Sequence, residues 1–252
     1  MRNDRFSQIG LDRFIRLAWL EKTSSLVLAG NAPKDIKTIL QQDLSDSFRS
    51  TRTDVRGSLD KTITILMKIW LSVPAELEAF RKSGLELLQA TPRQKQVALH
   101  WGMAMAAYPF WLGIATQVGR LLALQPSVTA AQVQRRVREQ YGERETVSRR
   151  ARYALRSFVD WGAITETKIK GVYQAAPSLD VTDPSLTAWM VEAVLHAQKN
   201  GSAPLKDVIR SPGLFPFALK SISADRLQVS NGRISVARHG LDDDLVMLSN
   251  IK

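Results

Sequence analysis

The sequence predicts a mainly α protein: an N-terminal helical bundle over residues 1–126, a winged-helix-like segment over 127–177 and a small α+β C-terminal lobe over 178–252. Three observations lead there. Apolar residues recur at helical spacing through the first half. Residues 129–175 read as a helix, an arginine-faced helix and a short basic hairpin. The last stretch is richer in Pro and Gly, and its Asn231-Gly232 step supplies the positive φ values of a tight hairpin turn.

Along the first half, a helix is expected from Leu11 to Ala29, with Leu11, Phe14, Ile15, Ala18 and Trp19 on its apolar side and Gly30-Asn31 as its stop. A shorter helix starts at Pro33 and turns Ile36, Ile39 and Leu40 inward. Ser50 or Thr53 opens a longer one through Leu59, Ile63, Leu66 and Trp70, halted at Val73-Pro74. Another runs from Pro74 to about Ala90, and Thr91-Pro92 begins the next, with Pro suited to a first turn. Between Lys95 and Arg120 lie 24 residues without formal charge. That length would span a bilayer. Gln96, His100, Thr116, Gln117 and a central Pro109 favour two buried helices instead, because the residue before Pro avoids the helical region. No membrane association is expected.

Within 127–177, Thr129 caps a helix whose Ala130, Val133, Val137 and Tyr141 form one stripe, with Arg135, Arg136 and Arg138 off it. Thr146, with Glu145 beside it, is the expected cap of the next helix, which runs to Trp161-Gly162. At 100° per residue Val147, Ala151, Ala154 and Phe158 fall on one side. Arg149, Arg152 and Arg156 fall almost opposite, with Arg150 beside them and Tyr153 among them. An ordinary surface helix mixes both signs on its exposed face; here no Asp or Glu lies between Val147 and Val159. Ala163 to Gln174 then alternates loosely and turns near Lys170-Gly171, placing Lys168 and Lys170 at a wing-sized tip. Helix, turn, basic helix and hairpin form a nucleic-acid-binding arrangement, with the second helix in the recognition position.

Charge agrees. The net charge is +11, and residues 129–175 alone hold ten Lys and Arg against five Asp and Glu. Clustered positive charge favours polyanions through release of phosphate counterions. A second group, Arg49, Arg52 and Arg56, also recurs at helical spacing, although Asp46, Asp54 and Asp60 are placed to neutralise it. The absence of Cys excludes disulfides and thiolate metal sites and fits a reducing cytoplasm. The polar start, Met1 to Phe6, leads into no apolar signal core, so a cytoplasmic location is expected.

Catalytic constellations are sparse. His100, His196 and His239 lie far apart, outside metal-ligand spacing, and neither phosphate-loop nor dinucleotide fingerprints occur. Asp160 with Glu166 and Lys168 resembles part of a nuclease site, but a recognition helix and wing explain these residues more simply. Asp242, Asp243 and Asp244 read as a solvated turn or helix start before a cation site. No catalytic residue, metal or cofactor is expected. The C-terminal lobe should carry a helix around Leu186 to Ala197 capped by Asp183-Pro184, an apolar docking segment from Leu214 to Ala218, and a hairpin from Leu227 to Val236. It reads as an appendage for packing or protein contact.

The succession of Ser50 to Arg56, Ile63 to Trp70, Ala107 to Phe110 and Val159 to Ile164 resembles the small helical A component of bacteriophage-exclusion (BREX) defence systems, over roughly residues 30 to 180. The C-terminal lobe extends beyond that family's pattern. The resemblance implies a helical fold akin to the NusB antitermination factor, no enzymatic activity, double-stranded DNA binding, and work beside methyltransferase and ATPase components. Three readings follow: a non-catalytic DNA-binding accessory protein, a winged-helix transcriptional regulator, and a scaffold whose basic surface meets protein or RNA.

Overall fold

The computed structural model describes residues 5–48, 55–239 and 243–249; among them the chain is mainly helical, with eleven α-helices and three small sheets. Helix α1 (Leu17–Leu28) starts at Leu17, not at Leu11 as expected. Leu11 takes a φ of 53°, which no right-handed helix admits. Farther on, the amides of Ile15 and Leu17 are held by side chains from a distant helix, Ser157 Oγ at 2.9 Å and Asp160 Oδ2 at 2.8 Å. Asp160 thus gives α1 the cap that its own flanking Arg16 does not.

Helix α2 (Pro33–Leu44) has Pro in its first turn and buries Ile36, Leu40 and Leu44. Helix α3 spans Val55–Trp70; the expected start at Ser50 or Thr53 lies outside the described residues. A 3-10 turn after Pro74 leads into α4 (Glu78–Ala90), and another after Pro92 precedes α5 (Val97–Ala107). Tyr108, extended before its proline, separates α5 from α6 (Pro109–Leu124). Both are largely buried, and among the described residues no helix is long and apolar enough to cross a membrane.

The next elements are β1 (Val128–Thr129), α7 (Ala130–Tyr141), α8 (Glu145–Asp160), β2 (Ile164–Glu166) and β3 (Val172–Ala175). β3 lies between β1 and β2, antiparallel to both. Thr129 and Gln132 form a reciprocal capping box at the start of α7, and Gly142, at a φ of 98°, lets the chain leave it. Helix α8 begins at Glu145 with Arg144 at its cap position. Thr146 therefore sits inside the first turn and caps nothing, a correction to its expected role. Helix α6 packs along α7, where the Phe110 and Tyr141 rings meet edge to face at 4.8 Å.

In the last third, β4 (Leu179–Val181) runs parallel to β6 (Phe217–Leu219). Asp183 caps α9 (Pro184–His196) by accepting the Leu186 amide at 2.8 Å. Helix α9 is buried from Leu186 to His196 and packs on α4 and α5. Trp189 stacks on Phe80 at 4.3 Å and donates to the Phe80 carbonyl; Gly84 and Gly102 make room for its ring. This stretch therefore supplies part of the main core rather than hanging from it as an appendage.

Strand β5 (Ser202–Pro204), helix α10 (Leu205–Ile209), helix α11 (Ala224–Ser230), β7 (Ile234–His239) and β8 (Asp243–Leu248) complete the chain, with β8 between β5 and β7. The expected Leu227–Val236 hairpin does not form. Ser223 caps α11, Leu227 is buried, and Asn231, at a φ of −150°, makes a helix-to-strand junction. Asp243 and Asp244 begin strand β8 instead of a turn; Asp242 lies outside the described residues. The Leu214–Ala218 segment docks as expected. Trp101 donates to the Gly213 carbonyl, and its ring meets Phe215 and Phe217 at 5.8 and 5.6 Å.

Candidate nucleic-acid interface

The two faces of α8 follow from its spacing. Val147, Ala151, Ala154 and Phe158 are buried, and Trp101 and Trp111 pack on the Phe158 ring. Arg149, Arg152 and Arg156 are exposed, while Arg150 is half-buried. The arginine ridge is not free of carboxylate, however. Glu145, one turn toward the N-terminus, places its oxygens 3.2 Å from Arg149 and 3.6 Å from Arg152. The Glu145 side chain is 65% exposed, and pairs in such settings contribute about 0–1 kcal/mol. Glu145 also sits in the first turn, where negative charge suits the helix dipole.

Arg156 has a different neighbour: its guanidinium lies 4.6 Å above the Phe14 ring. Burial raises the Tyr173 phenol, Glu166 adds to that, and Arg156 opposes it. Arg156 thus stands between the N-terminal segment and strand β3.

The expected hairpin is present. Thr167 N–H donates to the Val172 carbonyl, Gly171 N–H to Glu166 Oε1 at 2.7 Å, and Thr167 Oγ1 accepts the Ile169 amide. These bonds stiffen a tip on which Lys168 and Lys170 are exposed, with no carboxylate partner among the described residues. Gly171 supplies the positive φ, 77°, that the turn needs.

The arginines of α7 are more occupied. Arg135 and Arg136 share Glu139 at 3.7 and 3.0 Å. Arg138 pairs with Glu143 at 2.7 Å and donates to Ser148 Oγ, tying α7 to α8. Arg49 and Arg52 lie outside the described residues, and Arg56 belongs to α3 with its side chain outside them.

No family model, curated protein or solved structure matches the chain.

His100, Asp160 and Glu166 each have a partner within the fold. Burial drives His100 down to about 3, and its Nδ1 accepts the Trp70 indole N–H at 3.0 Å. Asp160 and Glu166, the carboxylates of a nuclease-like site, each accept a backbone amide. Among the described residues no cluster of His, Asp and Glu is arranged to hold a metal ion.

One constellation escaped the sequence. Glu192, 1% exposed within α9, accepts from Arg233 Nε and Nη2 at 2.8 and 2.7 Å and from Asn231 Nδ2 at 2.7 Å. His196 lies 3.4 Å away, and Arg233 continues to Ser83 Oγ on α4. Burial alone would raise the Glu192 carboxyl, but the hydrogen bonds from His196, Arg233 and Asn231 and the Arg233 charge hold it below the ordinary range. The only sequence signal was one acid inside an otherwise apolar helix.

Proposed function

We propose that this chain binds double-stranded DNA without chemically altering it, as an accessory protein of a phage-defence (BREX-like) or other DNA-processing complex. The order α6, β1, α7, α8, β2, β3 supports a winged-helix reading: three packed helices, then a hairpin that joins the first short strand in a three-stranded sheet. The carrying observation is α8, whose buried side is anchored in the core while Arg149, Arg152 and Arg156 face outward. In this reading α8 enters the major groove and the Lys168–Lys170 tip follows the neighbouring backbone. Arginines without Asn or Gln beside them favour phosphates and guanine edges, hence modest sequence preference. The resemblance to the BREX A component supports methyltransferase and ATPase proteins as partners. Engagement of Asp160 and Glu166 by backbone amides supports a non-catalytic role.

Five cations, Arg149, Arg152, Arg156, Lys168 and Lys170, give an expected slope of log affinity against log salt of about −4.5 on duplex DNA. Replacing Arg152 and Arg156 together by Ala lowers that slope by about 1.8 in magnitude. Fluorescence anisotropy with duplex, single-stranded DNA and RNA measures it. Equal duplex affinity of the double variant across the salt series refutes the assignment; tighter RNA binding replaces the ligand.

A transcriptional regulator is the second reading. An open groove of about 850 Å³ between α6 and α7, lined by Leu112, Leu121, Arg120 and Tyr141, favours it as a place for an effector. Protection of a palindromic site by a symmetric dimer distinguishes it.

A further inference from the structure

The N-terminal strap, residues 12–16, is bound to α8 by its backbone. Ile15 N–H donates to Ser157 Oγ, Trp161 Nε1 donates to the Ile15 carbonyl at 3.0 Å, and Leu17 N–H donates to Asp160. These contacts span more than 140 residues of sequence and fix the strap along the C-terminal half of α8. They also determine what it displays. Two guanidiniums approach the half-buried Phe14 ring, Arg156 at 4.6 Å and Arg16 at 5.8 Å, and Arg16 also lies 5.5 Å from the Trp19 ring. Trp19 in turn contacts Phe48 at 5.6 Å. Arg16 is exposed and has no carboxylate partner among the described residues. Asp12 is taken by Arg13, and Asp160 accepts the Leu17 amide.

Two guanidiniums thus approach one ring, and among the described residues neither forms an ion pair with a carboxylate, so an anion bound there would relieve their mutual repulsion. The aromatic faces hold both guanidiniums in preset orientations, so less freedom is lost when they bind. We infer that the strap is a third DNA-contacting element, with Arg16 binding the phosphate backbone beside the one met by Arg156. This inference rests on the DNA-binding reading and extends its surface beyond α8 and the hairpin.

The test is a salt-titrated anisotropy series on duplex DNA with the full chain and its Arg16→Ala, Arg16→Lys and Arg149→Ala variants. Arg16→Ala should lower the slope by about 0.9 in magnitude, the loss of one phosphate contact. Arg16→Lys should keep the slope, which a packing role for the guanidinium would not produce. Unchanged thermal melting of Arg16→Ala separates lost contact from lost fold. A normal slope for Arg16→Ala beside a reduced one for Arg149→Ala overturns the strap and leaves the α8 assignment intact. The reverse pattern supports the strap and removes Arg149 from the contact surface. A wild-type chain that ignores duplex DNA overturns both.

Discussion

Replacing Arg233 by Met tests the linkage of the C-terminal segment to the core. Arg233 gives Glu192 two of its short hydrogen bonds and the positive charge that lowers its carboxyl. In Arg233→Met the carboxylate, 1% exposed, keeps Asn231 at 2.7 Å and the longer His196 contact. Removing one partner of a buried ion pair costs about 3–5 kcal/mol, because the remaining charge stays desolvated. For a chain of this size that is a melting decrease of about 6–20 °C. Urea denaturation followed by circular dichroism at neutral pH measures the loss. Acid provides the check. Glu192 is held below its ordinary value, so its contribution is fully present above the normal carboxylate range and is lost as pH falls through the depressed value. The gap between wild type and variant should narrow there. Adding Glu192→Gln should restore part of the loss at neutral pH, since a neutral amide no longer needs a cation. An Arg233→Met chain within about 1 kcal/mol of wild type at pH 7 would refute the reasoning and place the pair among weak surface bridges.

Two further outcomes concern the core. His100 is held neutral down to about 3 in the fold, against 6.5 when free, so the unfolded chain takes up the proton first. Stability should therefore fall as pH drops from about 6.5 toward 3, by at most about 5 kcal/mol, and His100→Gln should flatten that limb in urea titrations at several pH values; an identical limb in the variant refutes it. Gly102→Ala drives a methyl into the Trp189 ring and should cost about 1–3 kcal/mol of stability in the same assay, with a neutral result showing that α5 and α9 can separate cheaply.

Local pattern made much of this architecture legible. The stripe Val147, Ala151, Ala154, Phe158 is buried, Thr129 caps α7 and Asp183 caps α9, because each depends on residues within two turns. What the sequence hid was non-local. Leu11 to Arg16 carries a helical apolar pattern, yet the Ile15 amide is bound by Ser157 and the Leu17 amide just after it by Asp160, and that tertiary pairing overrides propensity. Asn231-Gly232 reads as a hairpin until Glu192 claims the Asn231 side chain. Glu145 lay just outside the acid-free window of α8, but a helix brings residues four apart together, so its carboxylate reaches Arg149.

The strap bears on how far this basic surface could be transplanted. A cassette excised at residue 127 would leave behind α6 and Ile15, stripping Phe110 from Tyr141, Trp111 from Phe158, and the carbonyl acceptor from the Trp161 indole. Such a fragment would carry every arginine of α8 but not the platform beneath them, and it would be greasy on the wrong side. The cationic helix is thus not a portable module: its inheritance is tied to the opening residues of the chain, far away in sequence, which must travel with it.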